Sequence, residues 1–273
     1  MAFSFEPQES PAAAIRRIGL EQLAALRADL HVEPQPDVHE ARKRTKMLRA
    51  MLDLARRGLD PQLRRHESAR LRDLSRSLGP VRDAEVRLAT MRHLLEFGAG
   101  KPPPAFAPLL RALQKAALAS AHRTFSKRTL SAARRAIREA EAVWGRLKFT
   151  ASGWSLIEPG LRRSWRESRE GLFRFLEQPD VETIHEWRKA VKTLWYHLRV
   201  LRRLRPQPIT CWAEAFGTIG ELLGDDHDLA ILADFIRENH SASKAARPAL
   251  DLIARRRADL QQVIPGIASP LLI

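Results

Sequence analysis

A single cysteine, Cys211, stands in 273 residues, so no internal disulfide framework can form and a reducing interior suits the chain. No apolar run approaches the roughly 18 residues of a membrane span. The opening Met1-Ala2-Phe3-Ser4-Phe5-Glu6 lacks the pattern of a signal peptide. These absences predict a soluble, cytoplasmic protein. Alternating β-branched runs are missing too, which leaves no segment that needs to be a strand. Glycine-rich phosphate loops, His-Glu-x-x-His, clustered acids for Mg²⁺ and histidines at metal-ligand spacing are all lacking. The expectation is therefore a protein with no cofactor and no metal, and not an enzyme.

Positive charge is what the chain has in quantity. Forty-seven Lys and Arg against 32 Asp and Glu give a formal +15 and a pI near 11.0. With 44% apolar residues there is enough for a proper core, so this is no disordered basic tail. Such a surplus on a folded chain implies a polyanionic partner: nucleic acid, an anionic membrane surface or a phosphate polymer. An Arg-rich genome would raise the pI without any ligand, so the arrangement of the charges has to decide.

That arrangement is duplicated. The stretch from Val38 to Leu52 returns 146 positions later from Ile184 to Leu198, and His39/His185, Glu40/Glu186, Arg42/Arg188, Lys43/Lys189, Lys46/Lys192, Leu48/Leu194 and Leu52/Leu198 are identical pairs. On a helix, His39, Arg42, Lys43 and Lys46 fall at i, i+3, i+4, i+7 and share a face, while Ala41, Leu48, Leu52 and Ala55 lie opposite. The second copy divides likewise, with His185, Arg188, Lys189, Lys192 and Arg199 on one side and Trp187, Leu194, Leu198 and Leu201 on the other. Asp37 precedes Glu40 by three, as Thr183 precedes Glu186, the spacing of a capping box. This predicts histidines in the first turn, where free N–H groups favour an anion, with both glutamates reaching back to their caps.

Periodicity and punctuation place helices at about 11–31, 38–57, 61–78, 81–97, 106–147, 184–205, 209–223, 226–238 and 243–263, with a further helix around Leu161 and a loose tail from Pro265. Gly98 to Pro104 reads as a linker, and 148–155 as the break between halves. Leu161-Arg162-Arg163 answers Ile15-Arg16-Arg17 at the same 146 offset, with Arg162, Arg166 and Arg169 on one face. Arg123, Lys127, Arg134 and Arg138 share a narrow arc of the long helix, and Arg134 and Arg166 are candidates to join the basic surface. The period exceeds any solenoid unit. The predicted fold is all-α: a four-helix-type module (1–147) and its copy (148–273), related by an approximate twofold around a basic groove or pore.

A second echo pairs Leu78-Gly79-Pro80-Val81-Arg82-Asp83 with Leu223-Gly224-Asp225-Asp226-His227-Asp228 at an offset of 145. It places Asp83 and Asp228 in first turns of helices, a position that capping and the helix dipole favour by themselves. The functional alternative is that each carboxylate aims a cation of its own stripe.

At these residues the sequence resembles the CHAD family of histidine-marked α-helical domains. The match covers most of the chain: Phe5 to Arg17, His39-x-x-Arg42-Lys43-x-x-Lys46, Leu78-Gly79-x-x-Arg82-Asp83, His185-x-x-Arg188-Lys189-x-x-Lys192 with Trp195-Tyr196, and Leu223-Gly224-x-x-x-Asp228. The resemblance implies two pseudosymmetric bundles around a basic channel that binds inorganic polyphosphate. It implies as binders His39, Arg42, Lys43, Lys46, His185, Arg188, Lys189 and Lys192, with Asp83, Asp228 and Tyr196 in support. Trp195 stands where the family usually has a basic residue, and His227 where asparagine is common. Many relatives carry a triphosphate-tunnel domain whose alternating glutamates have no counterpart here, and its hydrolase activity is not transferred.

Polyphosphate is a flexible repeat of one anion, so its binder needs rows of cations and no readout chemistry. Arginine forks grip phosphate oxygens in pairs and lysines act as point charges. Free phosphate or sulfate would occupy the same donors. Nucleic acid is the alternative partner, disfavoured because Trp195 and Tyr196 are the only stripe aromatics suited to stacking and no nucleic-acid motif is present. Association with cytoplasmic polyphosphate granules follows from the same reading.

Overall fold

Two hydrophobic cores are built from two rings of helices. The computed structural model describes residues 3–32, 36–97, 104–124, 127–204 and 206–273, and among them every regular element is helical. The first ring comprises α1 (Pro11–Asp29), α2 (Val38–Leu54), α3 (Pro61–Ser77) and α6 (Lys127–Gly145), each packed on the next and α6 closing on α1. The second comprises α7 (Trp154–Glu177), α8 (Val181–Leu201), α9 (Pro206–Asn239) and α10 (Ala246–Leu272), with α10 closing on α7. Between the ring members α3 and α6 come α4 (Gly79–Phe97), a 3-10 turn (Pro104–Phe106) and α5 (Ala107–Thr124).

Apolar spacing decides this packing. Ile15, Ile18, Leu23 and Leu26 of α1 face Leu48, Met51 and Leu52 of α2 in the first core, and each such side chain contributes about 1.5–3 kcal/mol by leaving water. Trp144 and Trp187 are fully buried, each seated where a helix offers glycine. A Cβ at Gly19 would stand 1.9 Å from Trp144, and one at Gly171 would stand 2.4 Å from Trp187. At Gly160, α7 lies against α2 so closely that a Cβ would meet the Leu54 carbonyl oxygen at 2.1 Å.

Several boundaries differ from the sequence reading. The cores do not divide after Leu147, since Met91, Leu94, Phe106 and Leu113 of the first half join the second core. Within the expected helix 106–147 the described residues form α5 and α6, and α5 packs on α4 whereas α6 packs on α1 and α3; with no Gly or Pro from 109 to 144, periodicity gave no sign of that change of partner. The helices expected at 209–223 and 226–238 are one rod, α9, whose Gln207 before Pro208 is non-helical (φ −109°, ψ 131°). Asp228 consequently sits mid-helix. The tail is not loose: Ile264, Ala268 and Leu272 bury one face of α10 with Pro265 and Pro270 inside the helix, apolar packing outweighing the missing N–H groups. The expected linker 98–104 lies outside the described residues except for Pro104, as do the side chains of Arg82, Arg123 and Lys127.

Candidate polyanion site

Asp37 caps α2 by accepting the Glu40 N–H at 2.9 Å, which puts His39 in the first turn as expected. The second copy starts earlier: Asp180 is the cap of α8 and accepts the Thr183 N–H at 2.7 Å, so Thr183 lies inside the helix and His185 in its second turn. A carboxylate one turn upstream caps as well as a hydroxyl. Neither glutamate returns to its cap. Glu40 accepts from Lys43 Nζ at 2.9 Å and Glu186 pairs with Lys189, because a lysine at i+3 offers a full charge.

The two stripes meet. Lys46 is exposed to solvent, yet its ammonium is pushed down to about 8 by the surrounding protein, then by Arg188, Arg42 and Lys192, with Asp228 acting in the opposite sense. Exposure combined with strong loss of solvation describes the wall of a recess rather than a convex surface. Lys192 is also lowered, by burial first and by Arg188 next. Cations of α2 and α8 therefore share one hollow, and the carboxylate of Asp228 on α9 acts on Lys46 of the first stripe. Asp83 lies 3.9 Å from Arg42, whose Nη1 also donates to the Ser75 carbonyl at 3.0 Å.

Trp195 draws two cations of the second stripe together. Lys192 Nζ stands 4.5 Å and the Arg199 guanidinium 4.7 Å from its ring centroid, so the indole holds two cations over its face. Tyr196 beneath it is buried, its hydroxyl pushed up to about 12 by burial, and it packs edge-on against Phe3.

Three features were not anticipated from the sequence. His227 stacks on His185 with centroids 4.4 Å apart. Its imidazole is pushed down to about 4 by burial and then by His185, Arg188, Arg257 and Lys46. The Nδ1 atoms of both rings and Arg188 Nε are buried without a hydrogen-bond partner. Beside them Asp226 is buried and fully engaged, accepting from Arg257 Nε and Nη2 at 3.1 Å each and from Gln261 at 2.9 Å. Beneath the stripe, α9 presents Gly217, Gly220 and Gly224 at i, i+3, i+7 to Trp195, Lys192 and Arg188: a Cβ at Gly220 would stand 2.9 Å from Lys192 Cε, and one at Gly224 would stand 3.2 Å from Arg188 Nε. That glycine spacing was the signal available in the sequence.

Two expected members sit on other helices. Arg134 is on α6, which packs on α1 and α3. Arg166 lines a groove with Arg64 and Arg65 of α3 and with Arg56 and Arg57 just past α2, and pairs with Glu170 at 3.6 Å. Both were placed by arc on their own helix, and only the packing of the rings says which way an arc faces.

Two four-helix rings joined through a recess walled by paired cationic helices define the class of protein. The family model described as the CHAD domain matches residues 14–237, and the chain belongs to that family. The crystal structure of the CHAD domain from the plant Ricinus communis is similar at TM-score 0.68 and 19% identity, covering 98% of this chain and 95% of that one. PptA from Streptomyces chartreusis is similar at TM-score 0.62 and 16% identity, over 94% and 95%. No curated protein sequence matches. Among the described residues no helix is long and apolar enough to cross a membrane.

Proposed function

We propose that the chain binds inorganic polyphosphate, without turning it over, in the recess between α2 and α8. The observation that carries the reading is the position of Lys46 against Arg188, Arg42 and Lys192. Gathering like charges costs free energy that a polyanion offsets. Arg42, Lys46, Arg188 and Lys192 grip the chain, His39, Lys43, His185 and Lys189 stand along its rims, and Arg199 extends the line over Trp195. Presence in the cytoplasm, at phosphate granules, belongs to the same proposal.

The test is a titration of polyphosphate against RNA at two salt concentrations. Polyphosphate is expected to compete at far lower phosphate concentration, with affinity falling steeply as salt rises, as counterion release does for nucleic acids. Unchanged binding after joint replacement of Arg42, Lys43, Arg188 and Lys189 by Ala would dispose of the recess. Release of phosphate from a labelled chain in the presence of Mg²⁺ would overturn the non-catalytic role.

A further inference from the structure

Seven arginines from three helices line one groove of about 690 Å³ outside the recess: Arg56 and Arg57 just past α2, Arg64 and Arg65 of α3, and Arg162, Arg163 and Arg166 of α7. The close approach of α7 to the Leu54 carbonyl at Gly160 brings these arms together. Four of them have acidic neighbours: Arg162 pairs with Glu158, Arg163 with Glu167, Arg166 with Glu170 and Arg64 with Asp53. Arg56, Arg57 and Arg65 make no salt bridge among the described residues, so the groove keeps an excess of positive charge. Arg56 is held below its ordinary value by burial, then by Arg163 and Arg64.

A track joins this groove to the recess. Arg42, Lys46 and Arg49 follow one another at intervals of four and three residues, which keeps them within one arc of α2, and Arg56 stands in the turn two residues past its end. At 1.5 Å per residue, Arg42 and the end of α2 at Leu54 are about 18 Å apart. Midway, Arg49 stands among Asp53 and the arginines Arg72 and Arg76 of α3, and its Nε is buried without a partner.

We infer that the arginine groove is a second seat for a polyphosphate chain that leaves the recess along α2, engaged only by chains long enough to span both. The inference rests on the recess binding the same polymer. It makes the groove a determinant of chain-length preference: tripolyphosphate is too short to reach from one seat to the other, and a long chain gains from both by effective concentration.

The experiment compares wild type with R57E/R65E, both exposed positions, and the milder R57Q/R65Q, using tripolyphosphate and long-chain polyphosphate. A control, R111E/K115E on α5, makes the same charge change at exposed positions outside the groove. The expected result is a loss of about tenfold or more for the long chain in R57E/R65E, with a shallower salt slope, a smaller loss in R57Q/R65Q, and unchanged tripolyphosphate binding. An equal loss in the α5 control would reduce the effect to net charge and overturn the inference, as would unaltered long-chain affinity in R57E/R65E. Failure of wild type to bind either probe would instead remove the recess reading on which this one stands.

Discussion

The imidazole rings of His185 and His227 stand 4.4 Å apart, centroid to centroid, with planes 33° from parallel. Each Nδ1 is buried without a hydrogen-bond partner, and Arg188 and Lys46 act on both rings. Both histidines are lowered, burial being the first cause, with His227 down to about 4, so both are neutral at pH 7 in the free protein. A phosphate chain brings negative charge and raises them. Binding then takes up protons, and affinity tightens as pH falls from 8 toward 5, levelling off below about 4 once His227 is charged without ligand. Dissociation constants measured across this range test it, and His227→Asn should flatten the slope. A wild-type affinity that is level between pH 6 and 8 would rule the coupling out.

His197, away from the stripes, adds to the acid sensitivity of the fold. It is buried, with Nε2 donating to the Ala50 carbonyl at 2.9 Å and Nδ1 2.9 Å from the Ser164 hydroxyl. Since a carbonyl only accepts, Nε2 carries the proton and Nδ1 is left as an acceptor, which shares the single Ser164 hydroxyl proton with the Leu161 carbonyl at 2.9 Å. Burial pushes this imidazole down to about 4, while the unfolded chain titrates near 6.5. Its contribution is complete above pH 6.5 and is lost as pH falls to about 4, a cost of roughly 3 kcal/mol. Urea unfolding across that window should record the loss, and His197→Gln, which cannot take the proton, should lessen it.

Arg188 and Arg42 occupy equivalent places in the two stripes but differ in their anchors. Arg42 has the Ser75 carbonyl and Asp83 nearby, whereas Arg188 lies against glycine with its Nε unpartnered. Alanine at either is expected to cost about 1.5–3 kcal/mol of polyphosphate binding, the range for hydrogen bonds to charged groups. Calorimetric titration of each single variant measures it, and losses under half a kcal/mol for both would contradict the assignment.

Glycines separate site geometry from fold stability. At Gly220 and Gly224 the atoms nearest an added Cβ belong to the outer ends of the Lys192 and Arg188 side chains, which can swing aside. Gly220→Val and Gly224→Val should therefore weaken polyphosphate binding with little change in thermal midpoint. Gly160→Ala meets the α2 backbone at 2.1 Å and should destabilise by about 1–3 kcal/mol or more. The midpoints of the three variants distinguish the two kinds of glycine.

Helix positions and the cationic rows were legible because both depend on local period: Leu48, Met51 and Leu52 had to be buried, which turned Arg42 and Lys46 outward. The family was legible for a related reason, that its motifs are short and local. The change of packing partner within 106–147, the helical tail and the continuity of α9 were not, since each follows from what the segment packs against rather than from its own residues.

By itself the sequence determined that two copies of an amphipathic, cation-bearing helix exist, because the 3.6-residue period and the 146-residue echo are written in it. Tertiary structure alone decided which of those cations meet. Ring closure sets Lys46 against Arg188 and His185 against His227, and it brings Arg166 to the groove it shares with Arg64 and Arg65. A helix fixes the arc on which a side chain lies, but only packing against other helices fixes where that arc faces.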